Sequence, residues 1–215
     1  MSKRAVPILV LFGAPGAGKG SLAAYLADDH GFVHLSTGAV LRAWAAGSSA
    51  EQLELRAKLD AGQFATDAQA ARIVNEAIAA LPASTPAVIF DGYPRNLSQL
   101  AAWRASGGTG RAILITISEQ IALERIGARG TCPRDGTGSP GVGKPCPRCG
   151  TPTVRRSDDI EAATIAARFA TYRANTAPVI AAWCKAGLPL NQIDGNISLP
   201  DLRKLATQIA AAYKG

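Results

Sequence analysis

Two rhythms alternate along this chain: short unbroken apolar runs, and stretches in which apolar residues return every three or four positions. Val6–Phe12 and Ala87–Phe90 are runs of the first kind; Arg111–Ile117, rich in Ile, the short Phe32–Leu35 and Leu188–Ile193 also read as strands. Unbroken apolar runs of this length predict parallel strands covered on both faces. Helical spacing predicts helices over Gly18–Asp29, Ala39–Ala46, 50–61, Ala68–Leu81, Asn96–Ser106, Ser118 to about Ala128, Ile160–Thr176, Pro178–Ala186 and Ser198–Tyr213. Their ends carry ordinary signals: Ser36-Thr37-Gly38, Thr66-Asp67 and Ser118 as N-caps, Gly31 and Gly62 at C-termini. Strands alternating with helices in a chain of 215 residues predict one α/β domain with a parallel sheet, long enough to carry insertions. There are no internal repeats.

One stretch breaks both rhythms. From Gly130 to Ser157, Gly, Pro, Thr and Cys dominate and no helical period survives. A connection of this length is too long for an ordinary turn and reads as a functional insertion. It holds three of the four cysteines, in Cys132-Pro133-Arg134-Asp135 and Cys146-Pro147-Arg148-Cys149. A C-x-x-C knuckle turns both sulfurs toward one ion, and two facing knuckles make a tetrahedral site. Cys132, Cys146 and Cys149 with Asp135 as the fourth ligand would suit Zn²⁺, and the metal would stand in for a core that so small and polar a segment lacks. A metal-free loop with reduced thiols is the alternative. Cys184 stands alone in a helical stretch and reads as an inert buried thiol.

Where the first apolar run meets the first helix lies Gly13-Ala14-Pro15-Gly16-Ala17-Gly18-Lys19-Gly20-Ser21. Strand, glycine loop, lysine and helix, in that order, make a phosphate cradle. Glycines let backbone N–H groups turn inward, the helix N-terminus adds its dipole, and Lys19 adds a full charge. The spacing fits G-x-x-x-x-G-K, except that Gly20 stands where the general motif has Ser or Thr and the hydroxyl comes one later, at Ser21. The run Ala87–Phe90 delivers Asp91 at its carboxyl end, where ligand chemistry collects in parallel sheets. An acid there suits a Walker-B role toward Mg²⁺, and capping of the next turn is its structural alternative.

Charge narrows the partners. The net charge is +7, yet between Arg125 and Arg173 nine Lys/Arg face four Asp/Glu, so most of the excess lies in one stretch. That is a focused anion site, and with aromatic residues at 6% there is no interleaving to stack bases, which argues against nucleic acid. An apolar fraction of 47% reads as globular. No apolar run approaches the ~18–20 residues of a membrane span. Met1–Phe12 runs into the glycine loop with no cleavage site between, so it reads as the first strand of a cytoplasmic protein.

Taken in order, these motifs resemble adenylate kinases of the long, zinc-lid type, nucleoside monophosphate kinases whose P-loop carries Gly and Ser after the lysine. Ser36-Thr37-Gly38 with Arg42, Asp60-Ala61-Gly62-Gln63, Asp91-Gly92-Tyr93-Pro94-Arg95 with Gln99, Arg125 with Arg129, Arg156-Ser157-Asp158-Asp159, and Arg168 carry the resemblance, which covers essentially the whole chain. It implies a P-loop NTPase fold with a five-stranded parallel sheet flanked by helices, a core of residues 1–35, 66–127 and 161–215, an AMP-binding insertion at 36–65 and a lid at 128–160. It implies transfer of a phosphoryl group from Mg·ATP to AMP, giving two ADP, by a cytoplasmic monomer that uses Mg²⁺ and holds a structural Zn²⁺.

The resemblance also implies roles. Gly16, Ala17, Gly18, Lys19, Gly20 and Ser21 would hold the ATP phosphates, with Arg125 stacked on the base and Ile197 beside it. Thr37, Arg42, Gln63, Phe64, Ala65, Gly92, Tyr93, Pro94, Arg95 and Gln99 would form the AMP site. Arg129, Arg156 and Arg168 would close on the transferring phosphoryl group, the latter two also reaching AMP, and Asp91 would orient the waters of Mg²⁺. Two departures stand out: Ala39 replaces the acid usual after Ser-Thr-Gly, and the lone Asp sits in the first knuckle of a shortened lid. Asn96 is reminiscent of UMP/CMP kinases, so a pyrimidine nucleoside monophosphate kinase is the rival within the class. A zinc-ribbon binding module switched by ATP is the rival outside it.

Overall fold

The structure is a computed structural model that describes residues 6–60, 65–134, 138–139, 141–155 and 159–213. Five strands, β1 (Ile8–Gly13), β2 (Val33–Leu35), β3 (Val88–Asp91), β4 (Arg111–Thr116) and a last one at Leu190–Asp194, form one sheet. Every pairing in it is parallel. β1 lies at its centre between β3 and β4, with β2 and Leu190–Asp194 at the edges.

The unbroken apolar runs become two cores because side chains alternate across a strand. Leu9 and Leu11 of β1, Ile89 of β3, and Ile113 and Ile115 of β4 face one side, against α1 (Lys19–His30) and the closing helix Leu199–Ala211. Val10 and Phe12, Val88 and Phe90, and Ala112 face the other, against α4 (Asp67–Ala79), α5 (Leu97–Ala105) and the helix Ala177–Lys185. The second core is closed by Trp103 stacked on Trp183, ring centroids 5.6 Å apart, with Phe12 edge-on to Trp183. The indole of Trp183 donates to the carbonyl of Pro189 at 3.0 Å, so its one polar atom is satisfied.

Between β2 and α4 the chain inserts α2 (Thr37–Ala45) and α3 (Ala50–Asp60). These pack a separate small core, Leu41, Ala45 and Leu55, against Ala70 and Ile73 of α4. Arg72 of α4 lies over the Trp44 ring at 5.2 Å and pairs with Glu51 and Glu76, which joins all three helices. After α6 (Glu119–Ala128) comes the second insertion, whose two-residue strands β5 (Gly130–Thr131), β6 (Gly138–Ser139) and β7 (Val154–Arg155) form an antiparallel sheet in the order β6-β5-β7. Only then do α7 (Ala162–Thr171), a π-turn (Tyr172–Thr176), α8 (Ala177–Lys185), β8 (Leu190–Asp194) and α9 (Leu199–Ala211) return to the core.

Most predicted boundaries move by one or two residues; four readings change in kind. The stretch 130–157 is not loop throughout, because its glycines and threonines support the short β5–β7 ladder. Ile160–Thr176 is not one α-helix, since it starts at Ala162 and ends in the π-turn. Cys184 is exposed, because the buried positions of α8 are Val179 and Trp183, leaving it on the outer face. Ser36 holds the N-cap place of α2, but its side chain makes no cap hydrogen bond. The expected C-cap Gly62 lies outside the described residues. Among the described residues no helix is long and apolar enough to cross a membrane.

Leu26 is fully buried in the core under α1. Its replacement by Ala should lower the unfolding free energy by about 2–5 kcal/mol in urea titrations. A loss below about 1 kcal/mol would show that this face of α1 is not tightly packed.

Candidate active site

The loop after β1 sits at the point where the chain order across the sheet reverses, the position at which open α/β sheets bind ligands. Two of its glycines are demanded by geometry. A Cβ on Gly13 would stand 2.7 Å from the carbonyl oxygen of Ile115 in β4, and one on Gly16 2.6 Å from that of Ala122 in α6. Gly16 also has a φ of +81°, in the left-handed region. The loop is thus pressed against the sheet and α6, with Ala17 buried beneath it. Gly18 is the N-cap of α1, and Lys19, Gly20 and Ser21 are its first residues, so the helix's free N–H groups open toward the cradle.

Lys19 turns back across the loop, and its Nζ donates to the carbonyls of Gly13 at 2.7 Å and Ala14 at 3.0 Å. Burial pulls its pKa below the usual lysine value of 10.5; Asp91 opposes that, while Arg95, Arg168 and Arg129 add to it. Those influences describe the neighbourhood: the acid at the end of β3 and three arginines from separate elements share the field around one amine. A Cβ on Gly20 would lie 3.9 Å from Oδ2 of Asp91, so the carboxylate faces the start of α1. That disposition fits the oxygen chemistry of a Mg²⁺–phosphate complex.

Of the residues expected at the AMP site, Gly92, Tyr93, Pro94 and Arg95 come directly after β3. Arg95 is exposed; its N–H donates to Oε1 of Gln99 at 2.7 Å and its Nε to the carbonyl of Gly92 at 2.5 Å. Gln99 also lies in the first turn of α5, where its N–H is capped by Asn96. Tyr93 is buried with its hydroxyl unpartnered among the described groups, and burial, then Asp67, pushes its pKa up to about 12. Thr37 opens α2, Arg42 lies on it one turn later close to Gly38, and Ala65 packs against the α2–α4 cluster. A cavity of about 340 Å³ lies between α2 and α3, lined by Arg42, Ala45, Ala46, Arg56 and Leu59. Of the described residues expected at the AMP site only Arg42 lines it; Thr37, Arg95 and Gln99 do not, so it is not their common pocket.

The two residues expected beside the ATP base, Arg125 and Ile197, meet: Nη2 of Arg125 donates to the carbonyl of Ile197 at 3.2 Å. Arg129 follows Arg125 by four residues, a spacing that predicts a shared helical face, but the helix has ended there. Arg129 is in extended conformation and reaches instead to Asp159, with Nε at 2.9 Å and Nη2 at 2.5 Å from Oδ2. Arg168 of α7 pairs with the other oxygen of the same carboxylate. Asp159 is fully buried at its side chain; burial alone would raise its pKa, but hydrogen bonds from Arg129 and Arg168 outweigh it and hold the carboxyl below 3.8. Sequence reasoning reached Asp159 only as part of a motif. Its signal is an acid beside basic residues within the arginine-rich stretch, and nothing in linear spacing shows that two distant arginines share it.

In the second insertion the sulfurs of Cys132, Cys146 and Cys149 lie within 4.8 Å of one another, those of Cys132 and Cys149 at 3.5 Å. The N–H of Arg148 donates to Cys146 Sγ at 3.4 Å, as a thiolate inside a knuckle requires. Hydrogen bonding to Thr151 lowers the pKa of Cys149, which also favours a ligating thiolate. The donor set fits a thiophilic ion such as Zn²⁺. Gln63, Phe64, Asp135 and Arg156, expected to complete these sites, lie outside the described residues.

A central glycine cradle on a parallel sheet, with an acid on the next strand and arginines drawn around the lysine, defines a P-loop phosphoryl-transfer protein with two insertions. A family profile described as adenylate kinase matches residues 11–188. The chain is 34% identical to the adenylate kinase of Novosphingobium aromaticivorans over 95% of its own length and 99% of the relative's. It is 36% identical to that of Paramagnetospirillum magneticum over 96% and 99%, and 34% identical to that of Petrotoga mobilis over 95% and 98%. The chain belongs to the adenylate kinase family.

Asp159 has a depressed folded-state pKa, so its contribution to stability is present above its unfolded value and is lost as pH falls through the folded one. Wild-type stability should therefore drop below about pH 4, and Asp159→Asn should flatten that acid limb. At pH 7 the variant, in which Arg129 and Arg168 lose the buried carboxylate they share, should be less stable by about 3–5 kcal/mol. Melting curves across pH measure both effects; superimposable acid limbs would show that Asp159 is not the titrating group.

Proposed function

We propose that the chain acts as an ATP:AMP phosphotransferase through the residues gathered around Lys19. The reaction is the reversible conversion of ATP and AMP into two ADP. The observation that carries the residue assignment is the cradle itself: Lys19 bonded across the glycine loop, Asp91 facing the start of α1 with Arg95 in the loop just after it, and Arg129 and Arg168 joined on Asp159. Phosphoryl transfer requires little covalent chemistry of a protein. It requires two anionic nucleotides in line and cations on the oxygens that gain charge.

In this reading Lys19 leaves the loop carbonyls for the β- and γ-phosphates, aided by the amides of Gly16–Ser21. A phosphate there raises the affinity of the amine for its proton, offsetting the burial that lowers it. Arg125 and Ile197 flank the ATP base. Arg42 and Arg95 take the acceptor phosphate, with Thr37, Gln63–Ala65 and Gln99 around its adenine. Arg129, Arg156 and Arg168 supply forked donors to the transferring group, Asp159 holding two of them until it arrives. Mg²⁺ bound with ATP would neutralise phosphate charge, and Asp91 would orient its waters. Residues 36–65 and 128–160 act as the acceptor-binding insertion and the lid on the core of 1–35, 66–127 and 161–215, and they exclude water so that AMP is the acceptor.

Zn²⁺ in the lid, held by Cys132, Cys146, Cys149 and Asp135, would be structural. The reading is completed by a cytoplasmic monomer with nucleotides as its partners and no nucleic acid or membrane. The localised arginines and the scarcity of aromatic residues favour it over a ribbon-type binding module, and Gln99 favours adenine over a pyrimidine.

A coupled assay of ADP formation with AMP, CMP, UMP and GMP as acceptors tests the substrate, and turnover with CMP or UMP but not AMP would overturn it. In the same assay Lys19→Met should lose at least about a hundredfold in turnover; near-normal turnover would remove its assigned role. If the thiol cluster holds structural zinc, Cys149→Ser should release the metal, measured by atomic absorption, and lower the melting temperature while keeping much of the activity in the cold. A metal-free wild-type protein with the same melting curve would rule that out.

A further inference from the structure

The helix that carries Arg168 does not run unbroken into the next one. Between α7 and α8 the backbone takes a π-turn at Tyr172–Thr176, in which the N–H of Ala177 reaches back five residues to the carbonyl of Tyr172. Pro178 supplies the reason. It has no N–H to return to the carbonyl of Ala174, and its ring would press on that carbonyl in an unbroken α-helix. The wider turn accommodates it, and inserting one residue rotates the rest of the helix by about 100°.

Thr176 is the last residue of the turn and occupies the N-cap place of α8, yet its side chain makes no cap hydrogen bond. Its Oγ1 instead donates to the backbone carbonyl of Arg95, 3.2 Å away and 81 positions earlier in the chain. The Arg95 residue is thereby held on both sides, its N–H by Gln99 and its carbonyl by Thr176, while its guanidinium rests on Gly92. The stretch from α7 through the π-turn thus bears Arg168 and, eight residues on, grips the loop bearing Arg95.

We propose that Thr176 is a positioning residue for the phosphoryl transfer: its hydroxyl, presented by the π-turn, keeps the acceptor-phosphate arginine in register with the transfer arginine on the same stretch. The proposal rests on the reading of Arg95 as that acceptor arginine. Thr176 touches neither nucleotide in this scheme. Its loss should therefore act through Arg95, on AMP and on turnover, and leave the ATP side alone.

The test compares Thr176→Val, which keeps the branched shape without the hydroxyl, with Thr176→Ser, Arg95→Ala and the double variant T176V/R95A, by steady-state kinetics and thermal melting. T176V should raise KM for AMP and lower kcat, each by about threefold to tenfold, with KM for ATP within about twofold of wild type. T176S should restore both, melting should be unchanged, and the double variant should be no worse than R95A alone. If T176V melts early, Thr176→Ala carries the same comparison. AMP kinetics unaltered in the hydroxyl-free variant while R95A is strongly impaired would overturn the proposal, as would equal rises in KM for both nucleotides or additive losses in the double variant. Near-normal AMP kinetics in R95A would instead remove the reading of Arg95, and this inference with it.

Discussion

The site depends on keeping cations together before any phosphate arrives. Two like charges 4 Å apart near a protein surface repel by about 4 kcal/mol, so a cluster of lysine and arginine disperses unless each finds an acceptor. This chain provides one for each: loop carbonyls for Lys19, the Gly92 carbonyl for Arg95, Ile197 for Arg125, and a single buried carboxylate for Arg129 and Arg168. All but Asp159 are backbone carbonyls, weak enough acceptors that a phosphate oxygen can take their place. Asp159 is the exception because it is buried and anionic, which suits a group that stays behind to orient two guanidinium planes. The arrangement is a resting state in which each of these five cations already has an acceptor, and in the proposed reading little reorganisation accompanies binding.

Elements with a strong local signal were legible in the sequence. β1 and β3 showed as unbroken apolar runs, and the structure explains why no alternation appears: Leu9 and Leu11 fill one core while Val10 and Phe12 fill the other. Thr66 and Ser118 were legible as caps because their hydroxyls accept from N–H groups three residues on. Features that depend on tertiary contact were not legible. Ser36 looks like a cap and makes no cap bond, Arg129 leaves the helical face its spacing suggests, and Cys184 points outward although its neighbours are apolar. The two-residue strands of β5–β7 carry too few positions for any period to show. The π-turn could have been anticipated from Pro178 within a helical pattern, but its use, a hydroxyl bonded across 81 positions, could not.

The two insertions solve the same problem by different means. In the proposed reading each closes over a nucleotide, which calls for a core separate from that of the sheet. The first packs Leu41, Ala45 and Leu55 against one face of α4 and reinforces that face with Arg72, Trp44 and two glutamates, so its interior is small but apolar. The second contributes no comparable apolar cluster among the described residues. Among the described residues its buried side chains are Cys132, Cys146, Ser139, Thr153 and Asp159, and the Thr153 hydroxyl serves the carbonyls of Gly141 and Lys144. A segment built this way needs a cross-link at its centre, and three converging sulfurs are where one would form.

The P-loop departure at Gly20 faces the acid of β3. The general motif places a hydroxyl there to reach the metal. In this chain a side chain at that position would grow toward Oδ2 of Asp91, which already faces the start of α1 from the end of β3. Leaving the position empty keeps the carboxylate open to the cradle, while Ser21, one residue further into the helix, retains a hydroxyl nearby. At 3.9 Å a Cβ there would only touch that oxygen, so the glycine is not forced by space; it leaves the loop and the acid of another strand facing one another. The sheet register that pairs Leu11 with Asp91 brings the acid to that gap, so the loop's chemistry is set as much by β3 as by the loop itself.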